Sequence, residues 1–199
     1  MKLLWIFFIL VGLLLSGCGT STGTYGVSLS FDSFNARNLQ AFPSFDMRKL
    51  QEARDVTSLT MCFKRLRFKT QGEGTSSDTS EDEDNVDFQI GEKSISGSGT
   101  TLGNITLPAG TYTRVEFDLE DDGQGCSSGN SVSLTNGSGS FSTDDRITVK
   151  FDGTFTLSNT DATLALGLQS IIDALDTVTS DEDSDTGIKA KTESANGSL

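Results

Sequence analysis

Apolar and polar residues alternate along many short segments of this chain, and this alternation constrains the fold more than any other feature. Residues 25–31 read Tyr-Gly-Val-Ser-Leu-Ser-Phe, and residues 114–119 read Arg-Val-Glu-Phe-Asp-Leu. A period of two places every second side chain on one face of a strand. Further apolar alternation lies at 59–68, 86–90, 102–107, 132–141, 147–157 and 162–168. The pattern predicts half-buried strands, with Glu116 and Asp118 on an outward, solubilising face.

Turn signals separate these segments, as expected for an all-β domain. We predict an antiparallel β-sandwich of about seven to nine strands over residues 25–178, with an incomplete barrel as the alternative. A change of parity near Lys64-Arg65 indicates a β-bulge, and Asn136-Gly137 indicates a hairpin. Apolar residues at 171–175 predict a short C-terminal helix. Residues 179–199 are polar and acidic, which is typical of a disordered tail.

The N-terminus has the layout of an export signal. Lys2 precedes an apolar run over 3–15, which ends in Leu15-Ser16-Gly17-Cys18. This stretch resembles the lipobox of bacterial lipoproteins. The resemblance implies that the signal peptide 1–17 is removed and that Cys18 becomes the lipid-bearing (palmitate) N-terminus. A retained transmembrane helix is the alternative, but the apolar run is shorter than the roughly 20 residues that span a bilayer.

The lipobox resemblance also implies a location. Residues 18–24 would form a small-residue, lipidated tether, with the membrane as the partner of the lipid. Residue 19 is Gly rather than the Asp that retains lipoproteins in the inner membrane of Gram-negative bacteria. We therefore expect a cell-envelope protein, in the outer membrane if the source is Gram-negative.

The net charge of −13 excludes one class of partner. Nucleic-acid binding requires a basic surface, so we expect no nucleic-acid partner. A bare anionic lipid surface would also repel this chain.

Cys62 and Cys126 remain as an even pair once Cys18 is assigned to lipid. In an oxidising compartment they are candidates for a disulfide. Two separate buried thiols are the alternative.

A second resemblance rests on the segment 107–112, which reads Leu-Pro-Ala-Gly-Thr-Tyr. It resembles the LPAG-x-Y segment of a family of uncharacterised bacterial lipoproteins with a domain of unknown function. It is also similar to transthyretin-like and carboxypeptidase-regulatory-like β-sandwiches. The flanking segments 56–68 and 147–175 resemble the early and late strands of that family. We expect Tyr112 to pack at a sheet edge rather than to bind a ligand.

The chain contains no histidine, which excludes catalysis and metal binding through that residue. Glu116 and Asp118 could converge as an acid–base pair, but solubilising charge explains them better.

The acidic clusters offer the one plausible chemical site. Asp118, Glu120, Asp121 and Asp122 precede a glycine-rich loop, and a second cluster lies at 78–84. Calcium favours several oxygen ligands on such loops. Neither cluster has the EF-hand spacing, so solvated loops are the alternative reading.

These observations predict a non-catalytic, lipid-anchored envelope lipoprotein with a structural, adhesive or partner-binding role and no required cofactor. The alternative is a calcium- or carbohydrate-binding surface module. Aromatic residues for sugar stacking are few, because the chain from residue 18 onward has no Trp and only Tyr25 and Tyr112.

Overall fold

The structure is a computed structural model that describes residues 23–34, 56–70, 85–86, 88, 90–181 and 185–199. The predicted signal peptide 1–17, the predicted lipidation site Cys18 and the acidic cluster at 78–84 lie outside the described residues.

Eleven strands and two short helices form within the described part of the chain. The strands are β1 Thr24–Phe31, β2 Ser58–Thr70, β3 Asn85–Val86, β4 Gly91–Ser94, β5 Thr100–Pro108, β6 Gly110–Leu119, β7 Val132–Asn136, β8 Gly139–Thr143, β9 Ile147–Leu157, β10 Ala162–Leu166 and β11 Asn196–Ser198. The helices are α1 Gln169–Leu175 and α2 Ile188–Glu193. The strand count exceeds the predicted seven to nine because β3, β4 and β11 are only two to four residues long.

The strands form two sheets that pack against each other. The smaller sheet has the order β10-β1-β5, and the larger has the order β11-β9-β6-β2-β7-β8, with β3 and β4 also paired to β2. Phe31 of β1 lies with its ring centroid 5.9 Å from that of Phe63, 6.1 Å from Phe117 and 5.7 Å from Phe151. These three rings belong to β2, β6 and β9, so the two sheets share one core. The predicted all-β, sandwich-like fold is confirmed.

Two strand pairings depart from the predicted antiparallel arrangement. β1 is parallel to β10, and β9 is parallel to β11. Parallel neighbours require a long crossover rather than a hairpin. For β9 and β11, the intervening chain includes both helices.

β2 contains the predicted bulge. Its register against β6 shifts between Phe63 and Arg65. The extra residue explains why Phe63 and Leu66, which are of opposite parity, are both buried. The Asn136-Gly137 signal is also confirmed, because Asn136 pairs with Gly139 at the end of the β7–β8 hairpin.

The C-terminal region confirms one prediction and corrects another. Helix α1 buries Ile171, Ile172 and Leu175, as predicted. The predicted disorder is wrong for residues 185–199, which form α2 and β11. Ile188 is fully buried in the shared core, and β11 pairs with β9. The residues before Ile188 are mostly acidic or polar, so the composition of the segment did not indicate that one apolar residue enters the core.

Candidate functional site

A disulfide joins β2 to the loop that follows β6. Cys62 and Cys126 are bonded, with their Cα atoms 5.7 Å apart and a separation of 64 in sequence. The predicted pairing is confirmed. Gly123 lies against this bond, because a Cβ atom there would be 2.8 Å from the Cys62 sulfur and 3.0 Å from the Cys126 sulfur. Any larger residue at position 123 would force the disulfide or the loop to shift.

A carboxylate from β4 holds the other side of the same loop. One oxygen of Glu92 accepts hydrogen bonds from the backbone N–H groups of Ser127 at 3.2 Å and Ser128 at 3.0 Å. Hydrogen bonds from the Ser128 side chain and backbone, and then from Ser127, hold the pKa of Glu92 below its usual value. The disulfide and Glu92 therefore fix the loop from two different strands.

Asp118 lies at the centre of a charged network on the face of the larger sheet that points away from the core. Its Oδ1 atom accepts hydrogen bonds from Arg67 at 2.7 Å and Thr148 at 2.9 Å. Its Oδ2 atom accepts one from Arg146 at 2.9 Å. The side chain has no exposed surface. The expectation that Asp118 is an exposed solubilising charge is therefore wrong, because Arg67 on β2 and Arg146 just before β9 cover it.

Glu116 belongs to the same network and is also buried, against expectation. Its two oxygens lie 3.5 Å from the guanidinium groups of Arg67 and Arg114. Arg114 in turn donates a 2.6 Å hydrogen bond to Asp152 on β9. Glu116 and Asp118 thus both face arginines, an arrangement that links β2, β6 and β9.

Glu120 and Asp122 share one cation at the end of β6. Lys64 on β2 contacts the carboxylates of both residues, with 2.8 Å to Asp122. The hydrogen bonds that Lys64 donates, first to Asp122 and then to Glu120, raise the pKa of Lys64. The same contact with Lys64 holds the pKa of Asp122 below its usual value. The contacts of Lys64 with Glu120 and Asp122 extend the charged network from Asp118 to the loop that the disulfide closes.

The structure does not gather the four predicted calcium ligands around one point. Asp118 faces two arginines, Glu120 and Asp122 face Lys64, and Asp121 is exposed in the loop. Within the described ranges, no group of three or more carboxylate or cysteine side chains is placed to hold a metal ion.

Tyr112 occupies a different place from the one predicted. It is buried on β6, a strand paired on both sides, and its ring stacks on Phe155 at 5.0 Å and meets Phe68 edge-on at 5.7 Å. Its hydroxyl donates a 2.8 Å hydrogen bond to the Pro108 carbonyl. The expected edge position is therefore wrong. A register shift between Tyr112 and Arg114 turns this side chain toward the core.

The alternating apolar pattern did not predict which basic residues contact the buried carboxylates. These residues are Lys64, Arg67, Arg114 and Arg146. A usable signal was present: basic residues recur at 64, 65, 67 and 69, while acidic residues recur at 116, 118 and 120. Opposite charges at the same period favour cross-strand pairing of the two segments.

Comparisons with protein-family models, with curated proteins and with solved structures gave no significant match to this chain. The resemblance of the 107–112 segment to a lipoprotein family therefore stays a prediction. Among the described residues, no helix has the length and apolar character needed to cross a membrane.

Proposed function

We propose that this chain is a non-catalytic lipoprotein of the bacterial cell envelope, anchored by lipid on Cys18. Its β-sandwich would serve a structural, adhesive or partner-binding role, in the outer membrane if the source is Gram-negative. The observation that carries the proposal is the Cys62–Cys126 disulfide. Such bonds persist in oxidising compartments outside the cytoplasm. The disulfide therefore supports the export implied by Leu15-Ser16-Gly17-Cys18.

The charged network supports a non-catalytic role. Catalytic carboxylates need access to substrate and to protons. Glu116 and Asp118 are buried, and both are occupied by arginine contacts. Together with the lack of histidine in the sequence, this favours a role in holding the sheet together over a role in chemistry.

Metabolic labelling with a palmitate analogue tests the anchor. We expect label on the wild-type protein in its native host and none on Cys18→Ser. A Cys126→Ser variant is the matched control, because it also removes one cysteine but leaves the lipobox intact, so it should still carry label. Unlabelled wild-type protein would refute the proposal.

A calcium- or carbohydrate-binding module is the alternative function. A sugar site would need exposed aromatic rings, and Tyr112 is buried in the core. Calcium would have to displace Lys64 from Asp122, whose side chain keeps 65% of its surface exposed. A melting temperature that rises in millimolar calcium would favour this alternative, since a ligand that binds the folded state stabilises it.

A further inference from the structure

The two ends of β6 mark opposite ends of the sandwich. The residue before β6, Ala109, donates a 2.8 Å backbone hydrogen bond to Gly23, where the described chain begins. The residue after β6, Glu120, donates a 3.2 Å bond to the carbonyl of Cys62 in the disulfide. β6 contains ten residues, and a strand rises about 3.3 Å per residue, so the two ends lie roughly 30 Å apart. We call them the Gly23 end and the disulfide end.

Strand pairing defines what else lies at the Gly23 end. Thr24 pairs with Pro108, and Gly110 pairs with Leu157. The loop 158–161 that follows β9 lies there too, because Asp161 accepts a 2.8 Å hydrogen bond from the Gly26 N–H. The start of the sandwich, the Pro108–Gly110 turn and this loop thus form one surface.

Chain length limits where a lipid on Cys18 can lie. Cys18 precedes Gly23 by five residues. A fully extended chain covers at most about 3.6 Å per residue, so Cys18 lies within about 18 Å of Gly23. That reach is shorter than β6. A lipid on Cys18 therefore cannot come alongside the disulfide end.

We infer that the Gly23 end of the sandwich rests on the phospholipid surface and that the disulfide end points away from it. This orientation rests on the proposed lipid anchor. It makes the loop closed by Cys62–Cys126 and held by Glu92 the surface presented to partners. The loop 158–161 and the Pro108–Gly110 turn become the membrane-facing surface.

Tryptophan fluorescence can measure this orientation without a signal from native tryptophans. Trp5 is the only Trp in the chain and lies in the predicted signal peptide, so the processed protein has none. Thr160→Trp places an indole at the Gly23 end, and Gln124→Trp places one at the disulfide end; both sites are exposed. Each variant is bound to phosphatidylcholine vesicles that carry a nitroxide quencher on the headgroup.

We expect quenching of the Thr160→Trp variant to exceed that of Gln124→Trp about twofold or more, because the two indoles differ by roughly 30 Å in distance from the surface. Equal quenching, or stronger quenching of Gln124→Trp, would overturn the orientation. If the protein made in cells carries no lipid on Cys18, the proposed lipid anchor is wrong, but this result does not decide the orientation. The same quenching comparison is then made with a maleimide lipid coupled to Cys18, the one thiol outside the disulfide, so the orientation is still decided.

Discussion

Arg67 and Asp118 lie on neighbouring strands of the larger sheet, with Nη2 of Arg67 2.7 Å from Oδ1 of Asp118. Asp118 has no exposed surface, and Arg67 keeps 15% of its side-chain surface exposed. A buried carboxylate is tolerated only when it is paired and hydrogen-bonded. The contact therefore explains how a charged residue can be buried on the sheet face opposite the apolar core.

Asp118→Asn should destabilise the fold strongly. The substitution removes the negative charge that Arg67 and Arg146 face, while Glu116 still lies 3.5 Å from Arg67. We therefore expect a loss at the lower end of the about 3–5 kcal/mol that breaking a buried ion pair costs. We expect a lower urea midpoint with an unchanged slope. Asp121→Asn is the matched control, because Asp121 is exposed in the adjoining loop; it should change stability by about 0.5 kcal/mol or less. Equal effects of the two substitutions would refute a structural role for the network.

Removing the disulfide should also lower stability. Cys62 and Cys126 enclose a long loop, and closing a loop of this length contributes about 4 kcal/mol in the chain-entropy model. We expect a loss of this order for the Cys62→Ala/Cys126→Ala double variant in chemical denaturation. Cys126→Ala alone should lose nearly as much, since either change breaks the bond. A wild-type protein whose unfolding midpoint does not respond to reductant would contradict the prediction.

The contribution of Glu92 should depend on pH. Its folded-state pKa is depressed below the usual value of 4.5 by hydrogen bonds from Ser128 and Ser127. The stabilisation is therefore present above pH 4.5 and disappears as the pH falls through the lower folded-state pKa. We expect Glu92→Gln to melt below the wild type at pH 7 and the gap to narrow as the pH is lowered below 4.5 through the depressed pKa of Glu92. A gap that stays constant over this range would show that the ionised carboxylate does not hold the loop.

Gly197→Ala should loosen the C-terminal strand. A Cβ atom at this position would overlap the ring of Phe151 and approach the Gly167 carbonyl oxygen to 2.7 Å. Overpacking of this kind typically costs 1–3 kcal/mol. We expect faster amide hydrogen exchange over residues 188–199. Asp185→Asn, an exposed change in the same C-terminal region, should leave exchange unchanged. Unaltered exchange in Gly197→Ala would contradict the close packing of β11.

Alternation predicted the strands because it depends only on local geometry. Val115, Phe117 and Leu119 had to share one face of β6, and all three are buried. The bulge near Lys64-Arg65 could also be predicted from the sequence, because an extra residue shifts the apolar positions from odd to even numbers within one segment. The disulfide followed from counting cysteines once one was assigned to lipid.

The charged network and the C-terminal strand depend on contacts distant in sequence, so local patterns could not reveal them. Alternation assigns Asp118 to a face but does not say whether residues such as Arg146 close over that face. Residues 185–199 order because Ile188 enters the core and β11 pairs with β9. The composition of this segment is dominated by acidic and polar residues, and for that reason it predicted disorder.

Intact-mass and N-terminal analysis of the protein isolated from its native membrane tests the central claim most directly. The account predicts a chain that begins at Cys18, carries the added mass of fatty chains on that residue and contains one disulfide between Cys62 and Cys126. A chain that begins at Met1, with unmodified Cys18 and free thiols at positions 62 and 126, would contradict it.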